Sequence, residues 1–588
     1  MAQETKQKEK FDFNVLTRLI KAGWKYKRLF VICVILAIVL APLGAILPYL
    51  VKNIVDDHIL KFDIPGMYQI SILFIFLLLV NVGLRYYFLY ATADLGQSVI
   101  KDMRNEIFEK IVSLRLRYYD QTPIGTSTTR TISDIQAINE VFTQGVITIV
   151  ADLLSIVAVL AVMCYTSWKL TLVCLLLFPF LIIATRIFQK NVKISYTKVR
   201  NQVANMNAFL QEQISGMRIV QIFNAAGRQS KKFKEINHAY TGANLDSVFY
   251  YAVFFPVVEL ISALCLALLV WWGAADYLKG NVSFGALVAF PLYLDLLFRP
   301  VRMAADKFNT LQMGIVAGSR VFKIMDSQDS IPNKGKVVKE KLDGNIVFDK
   351  VGFAYDEENF VIKDLSFKIN PGETLAIVGS TGSGKTTIIN ILNRFYDIQK
   401  GNIFVDGTDI RDYELSALRK NIAIVLQDVF LFEGTVMENI CLRDKSIDPE
   451  KVLRASKDIG AHEFLEKLPG GYDFVITERG NNLSVGQRQL ISFVRALVFD
   501  PDILILDEAT SSIDPETELV IQHAIEELID KRTSIIIAHR LTTIRHADKI
   551  LVMDNGRGVE FGEHEQLMSM ENGRYRELVS LQQSAELI

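Results

Sequence analysis

Six stretches of the chain are apolar over about the 20 residues that a helix needs to cross the hydrocarbon core of a bilayer, where each backbone amide has to be bonded within its own segment. They run approximately Leu29 to Val51, Tyr68 to Tyr90, Val146 to Thr166, Leu170 to Phe188, Val248 to Trp272 and Phe284 to Arg302. The first, third and fifth connections between them are short. The second and fourth are long, polar and patterned as helices, and they are rich in Lys and Arg: Lys101, Arg104, Lys110 and Arg115 in one, Arg186, Lys190, Lys193 and Arg200 in the other. Because cationic loops stay on the cytoplasmic side, the pattern predicts six transmembrane helices with both long hairpins and both termini in the cytoplasm. The first apolar run starts too late and is too long for a cleaved secretory peptide, so it reads as a retained span. Ahead of it, FDFNVLTRLIKAGWKYK places apolar residues at helical spacing with cations opposite, as a helix lying along the membrane face would.

Beyond the sixth span the chain continues helically and then meets DSQDSIPNKGKVVKEKLDG, where Pro, Gly and charge end the apolar periodicity. From about Asn345 short β-branched runs (NIVFDKVGF, TLAIVG, IAIVLQ, ILILDE, TSIIIAH, KILVMD) alternate with helical stretches, which predicts an α/β domain around a largely parallel sheet. The expected division is a cytoplasmic N-terminal segment over 1–27, a six-helix membrane domain over 28–325, a linker over 326–343 and the α/β domain over 344–588.

Composition agrees with a chain partly in lipid: half of its 588 residues are hydrophobic. The formal net charge is −1 and no basic stripe interleaved with aromatics appears, which removes support for a nucleic-acid partner. Four of the five cysteines (Cys33, Cys164, Cys174, Cys265) lie in apolar runs and Cys441 lies in the α/β half, without a CxxC pair, so they read as small hydrophobes.

The strand TLAIVG leads directly into Gly379, Ser380, Thr381, Gly382, Ser383, Gly384, Lys385, Thr386 and Thr387, followed by a helical run. This is the phosphate-loop pattern in its required strand, loop and helix setting. Its glycines let backbone N–H groups curl around phosphate oxygens at a positive helix end. Lys385 is expected to neutralise the β- and γ-phosphates of ATP, and the Thr386 hydroxyl to ligate Mg²⁺. Further on, the strand Ile503 to Leu506 delivers Asp507 and Glu508 at its carboxyl end, with Asp507 suited to the magnesium shell and Glu508 to polarising the attacking water.

Between these motifs, Leu483-Ser484-Val485-Gly486-Gln487 resembles the signature motif of ATP-binding cassette transporters. The resemblance extends to Tyr355, where the family stacks adenine, to Gln427 in the glutamine loop, to Ser511 through Asp514 in the D-loop and to His539 in the switch loop. With six spans ahead of the nucleotide domain, essentially the whole chain looks like a half-transporter of the multidrug and lipid exporter type, a helical membrane domain fused to an α/β phosphate-loop domain. The resemblance implies ATP and Mg²⁺ as cofactors, with Thr386, Gln427 and Asp507 around the metal, Glu508, His539 and Gln427 in hydrolysis, and a dimer in which one chain's phosphate loop faces the partner's Ser484, Gly486 and Gln487. It also implies short docking helices near Tyr118 to Thr128 and Glu212 to Phe223. Val485 and Ser512-Ile513 depart from the family's commoner residues. Either the variation is tolerated in a homodimer, the favoured reading, or the chain pairs in a heterodimer whose other site is degenerate. A bacterial inner (plasma) membrane is the expected location.

Polar residues inside the spans are costly and so are candidates for a substrate cavity: Arg85, Glu259, Asp295 and Arg299, together with Asn81. Arg85 and Glu259 are expected to lie at similar depths and to pair in one conformation. Asp295 and Arg299, one turn apart, are expected to neutralise each other. The substrate class implied is a small hydrophobic or amphipathic compound, drug or lipid, and the competing function is an ATP-gated channel or regulator.

Overall fold

The computed structural model describes residues 12–331, 333, 335–356, 359–507, 515–537 and 544–586. Two compact units divide the chain, Met1–Ser113 with Pro123–Ser327 and Leu114–Thr122 with Gln328–Ile588.

In the first unit the N-terminal helix α1 (Phe13–Trp24) starts where the Asp12 carboxylate accepts from the amides of Asn14 and Val15, and it buries Val15 and Leu19 on one face. The spans follow as α2 (Lys27–Asn53) and α3 (Ile64–Ser113). The short helix α4 (Leu116–Gln121) belongs to the second unit. The chain then re-enters the first unit through α5 (Ile124–Thr129) and α6 (Ile135–Glu140), with π-helical turns at Arg130–Asp134 and Val141–Gly145, before α7 (Val146–Leu176) and α8 (Phe178–Ser215). It ends with α9 (Met217–Ile222), α10 (Ala226–Leu278) and α11 (Phe284–Met325).

Five helical runs are long and apolar enough to cross a membrane, and one of them covers 92 residues, Ile124–Ser215. That run is broken at Ser167, which is extended (φ −163°, ψ 105°). Its hydroxyl oxygen accepts from the Leu170 amide at 3.4 Å and its carbonyl from the Thr171 hydroxyl at 2.9 Å, so a new helix begins there. The third and fourth spans therefore separate at Ser167, and the six apolar stretches correspond to six spans. The long polar connections are not separate hairpins: α3 and α10 run unbroken for 50 and 53 residues, from apolar span into polar arm.

α8 and α10 pack along each other through stacked Phe188 and Phe254 rings 4.0 Å apart, a Ser195–Ser247 hydroxyl pair at 2.7 Å and a Tyr196–Tyr251 pair at 3.1 Å. Cys174, Leu181, Cys265, Phe290, Tyr293 and Phe298 sit in the apolar core of this unit.

One of the charge pairings expected from the spans is not the one formed, and another is absent from this conformation. Arg85 and Glu259 are both exposed and form no ion pair with each other among the described residues. The reason is packing: α3 lies on α2, while α10 lies on α8. Asp295 pairs with Arg302 at 3.1 Å, not with Arg299. Seven residues are two full turns to within about 20°, so a long guanidinium on the same face reaches back. An ion pair that one-dimensional reading did not find, Lys307 with Asp152, joins α11 to α7.

In the second unit, β3 (Thr374–Gly379), β6 (Ile422–Val425), β9 (Ile503–Asp507), β10 (Thr533–Ile537), β11 (Lys549–Asp554) and β12 (Arg557–Gly562) form one sheet in the order β12-β11-β3-β10-β9-β6. Every pairing in it is parallel except that of β11 with the edge strand β12. Both faces are covered. Ala376, Val378, Leu504, Leu506 and Ile536 point into one core and Leu375, Ile377, Ile503, Ile505 and Ile535 into the other, which is why these strands read as unbroken apolar runs.

A second, antiparallel sheet joins β1 (Ile346–Ala354), β2 (Phe360–Ile369), β4 (Lys400–Val405) and β5 (Thr408–Asp409) in the order β2-β1-β4-β5, and β7 (Gly434–Thr435) pairs with β8 (Val475–Ile476). Only its first strand was expected from the sequence. The alternation in β2, with Ile362, Leu365, Phe367 and Ile369 buried, is the signal that would have found it.

α4 is held on this unit from both ends of its segment. The Arg115 amide donates to the Asp329 carbonyl at 3.0 Å and its guanidinium lies 3.5 Å from the Asp397 carboxylate, while Asp120 accepts from the Tyr396 hydroxyl.

Candidate functional site

β3 is buried from Thr374 to Val378 and emerges at Gly379, where the chain leaves the sheet. Gly379 takes φ +153° and the loop turns through Gly382 (φ +83°) and Gly384 (φ +103°) into α12 (Lys385–Leu392). At Gly384 both constraints on glycine apply together: the left-handed backbone, and a Cβ that would come within 2.7 Å of Ile362 Cδ1. The loop therefore lies close on β2 and leaves the first amides of α12 directed at its mouth.

A cavity of about 390 Å³ opens there, lined by Thr381, Gly382, Lys385, Thr386, Gln427 and Asp507. The structure thus brings together residues from the phosphate loop, the segment after β6 and the end of β9. Lys385 Nζ donates to the carbonyls of Gly379 at 2.7 Å and Ser380 at 3.0 Å. Burial lowers the pKa of its ammonium, and Asp507 opposes that shift. The Ser383 hydroxyl is buried without a protein partner among the described residues. A buried, partly desolvated cation and a helix start converging on one cavity fit a polyphosphate.

The donors at the mouth also suit a hard divalent cation. Thr386 and Gln427 are exposed and offer neutral oxygens beside the Asp507 carboxylate. No cluster of three His, Cys, Asp or Glu occurs among the described residues. One carboxylate with neutral oxygens matches Mg²⁺, which takes its other ligands from phosphate and water.

Tyr355 lies just after β1, 38 % exposed, with its ring perpendicular to those of Phe353 (4.9 Å) and Tyr396 (5.0 Å). Its hydroxyl lies 3.2 Å from the Thr387 hydroxyl and accepts from Asn390 Nδ2 at 3.2 Å, both on α12. The ring is thus fixed beside the phosphate loop with part of its surface open, as base stacking requires.

The signature residues are elsewhere. Ser484 caps the helix Val485–Val498 through a reciprocal box: its hydroxyl accepts from the Gln487 amide at 3.2 Å, and its own amide donates to Gln487 Oε1 at 3.0 Å. Gly486 is buried and Val485 is 48 % exposed. Among the described residues none of Ser484, Val485, Gly486 or Gln487 lines the phosphate cavity. Glu508, Asp514 and His539 lie outside the described residues.

Comparison with known proteins identifies this architecture. The model described as the ABC transporter transmembrane region matches residues 30–301, and the one described as ABC transporter matches residues 362–511. The ABC transporter ATP-binding protein YknV of Bacillus subtilis (strain 168) is 40 % identical over 84 % of this chain and 82 % of its own length. The chain belongs to the ABC transporter family. The ATP-dependent lipid A-core flippase of Syntrophus aciditrophicus (strain SB) is 34 % identical to this ABC protein over 97 % of the chain and 94 % of the flippase. A bacterial Atm1-family ABC exporter, solved with ATP bound, superposes with a TM-score of 0.78 at 27 % identity, covering 95 % of this chain and 98 % of that one. The chain is an integral membrane ABC exporter whose ATP hydrolysis is coupled to transport.

Proposed function

We propose that this ABC exporter works as a dimer of half-transporters, a homodimer by preference, that moves a hydrophobic or amphipathic compound, drug or lipid, across the bacterial inner membrane by alternating access. The observation that carries the dimer is the separation of the two halves of the nucleotide chemistry: the phosphate cavity is lined by Lys385 and Thr386 and by none of the signature residues, while Ser484 stands exposed at the start of its own helix. An exposed helix N-terminus with a serine cap suits the γ-phosphate of a nucleotide held by a second chain. Exposed Met217, Ile219, Ile222 and Phe223 on and after α9 offer a further apolar surface of the kind a partner covers.

In each site Lys385 binds the β- and γ-phosphates, Thr386, Gln427 and Asp507 hold Mg²⁺, and Tyr355 stacks the adenine. The metal supplies charge neutralisation on the phosphates. Glu508 and His539 take the roles of water polarisation and γ-phosphate sensing. The membrane half fits an apolar cargo: Ile72, Leu73, Phe76, Leu79 and Val82 on α3 and Val253, Leu260 and Leu264 on α10 are all exposed. The nucleotide domain and both termini face the cytoplasm in this reading, in keeping with the cations of the polar arms.

ATPase assay of the purified chain alone in lipid nanodiscs tests the proposal. Activity that falls by orders of magnitude in Glu508→Gln and rises with particular lipids or drugs is the expected result. A well-folded, ATP-binding chain without turnover would overturn the homodimer and point to a partner subunit of different sequence.

A further inference from the structure

Tyr396 is a large aromatic residue that no phosphate, metal or signature role uses, yet it is 6 % exposed and touches two functional groups at once. Its ring stands at 88° to that of Tyr355, with centroids 5.0 Å apart, and its hydroxyl donates to the Asp120 carboxylate on α4. We infer that Tyr396 is a positioning residue that reports occupancy of the base site at Tyr355 to α4 through the Tyr396–Asp120 hydrogen bond. The inference rests on the reading above of Tyr355 as the adenine-stacking residue.

The geometry leaves little choice of route. Tyr355 is fixed at its hydroxyl end by Thr387 and Asn390. On its flanks stand two perpendicular rings, Phe353 and Tyr396, which also touch each other at 5.7 Å. Phe353 belongs to β1, is 1 % exposed and is held by pairing with β2, so it cannot yield without disturbing the sheet. Tyr396 lies outside any strand, four residues beyond the end of α12. A base that settles on the open part of Tyr355 and shifts that ring is therefore felt at Tyr396. A close-packed interior passes such a shift on instead of absorbing it.

At the far end the hydroxyl has a charged acceptor, and burial together with Asp120 raises the phenol's pKa, so the proton stays on the tyrosine and the bond keeps its polarity. Next to it Asp397 faces Arg115 at 3.5 Å and Arg394 at 3.6 Å. One dipeptide, Tyr396-Asp397, thus grips α4 at Asp120 and its leading residue Arg115. The contact is specific to a base: a triphosphate alone engages Lys385 and the loop but has nothing to place on Tyr355.

Amide hydrogen exchange of the full chain in nanodiscs tests this, read at residues 114–122 with ATP, with inorganic tripolyphosphate or with neither. ATP is expected to slow exchange there by about tenfold, the scale of one hydrogen bond to a charged group. Tripolyphosphate is expected to protect the phosphate loop and leave 114–122 unchanged. Tyr396→Phe keeps the ring and Asp120→Asn keeps the shape; each should abolish the ATP effect on 114–122 while ATP affinity, from competition with a fluorescent nucleotide, stays within about twofold of the native value.

Equal protection of 114–122 by tripolyphosphate and ATP, no ATP effect in the native chain, or an unchanged effect in both variants would overturn the relay. Tyr355→Ala separates that failure from failure of the underlying reading. If the alanine variant binds ATP as the native chain does, the base is not stacked on Tyr355; if it binds weakly while Tyr396→Phe retains the ATP effect, the base site stands and the relay falls.

Discussion

Lys385 is buried with its ammonium on two carbonyls, and burial holds its pKa below the usual 10.5. The sign of the consequence follows from which form binds. Phosphate needs the charged form, so ATP affinity is lost as pH rises through the lowered pKa, earlier than an ordinary lysine would allow. A titration of ATP Kd from pH 7 upward should show this alkaline loss in the native chain. Lys385→Arg, which stays charged, should bind more weakly but without the slope. Lys385→Ala should lower affinity on the order of a hundredfold at neutral pH, the loss of charge-assisted contacts to two phosphates. This residue was fully legible in the sequence, because a phosphate loop is a local pattern with few alternative uses. Tyr396 was not: its meaning comes from Tyr355, 41 positions earlier by residue number, and from Asp120, 276 positions away.

Ser484 shows what is legible one level up, in an element. The serine, a helical run and Gln487 three residues later spell a capping box as well as a signature motif, and the structure forms the box. The two readings predict different losses. Ser484→Ala removes a cap worth about 1 kcal/mol, a small fall in the thermal midpoint of the nucleotide domain. If Ser484 is also the proposed γ-phosphate donor, ATPase turnover should fall by well over tenfold while ATP affinity holds, since Ser484 does not line the phosphate cavity. A loss of activity no larger than the stability change explains would assign the residue to capping alone. Whole elements were readable where one physical demand dominates. The spans follow from length and apolarity, and the buried parallel strands from continuous β-branched runs. What escaped was set by partners remote in sequence. β4 pairs with β1 across residues 355–399, which contain β2 and the phosphate loop. Asp295 meets Arg302 instead of Arg299, and Lys307 meets Asp152 on another helix.

At the scale of the molecule, the unbroken helices α3 and α10 are the feature that most changes the picture drawn from composition. A 50-residue helix is about 75 Å long, more than twice the hydrocarbon thickness, so span and arm form one lever instead of a span with a loop attached. Such a lever converts a small displacement at its polar end into a tilt within the bilayer without unwinding. The division of the chain carries a different consequence, for protein engineering. Residues 114–122 are packed with the nucleotide domain although more than 200 residues of membrane domain follow them before that domain begins. A hybrid built from two relatives by a single junction near residue 328 would therefore seat a foreign α4 against Tyr396 and Asp397. The natural module is discontinuous, and an exchange that respects it has three junctions.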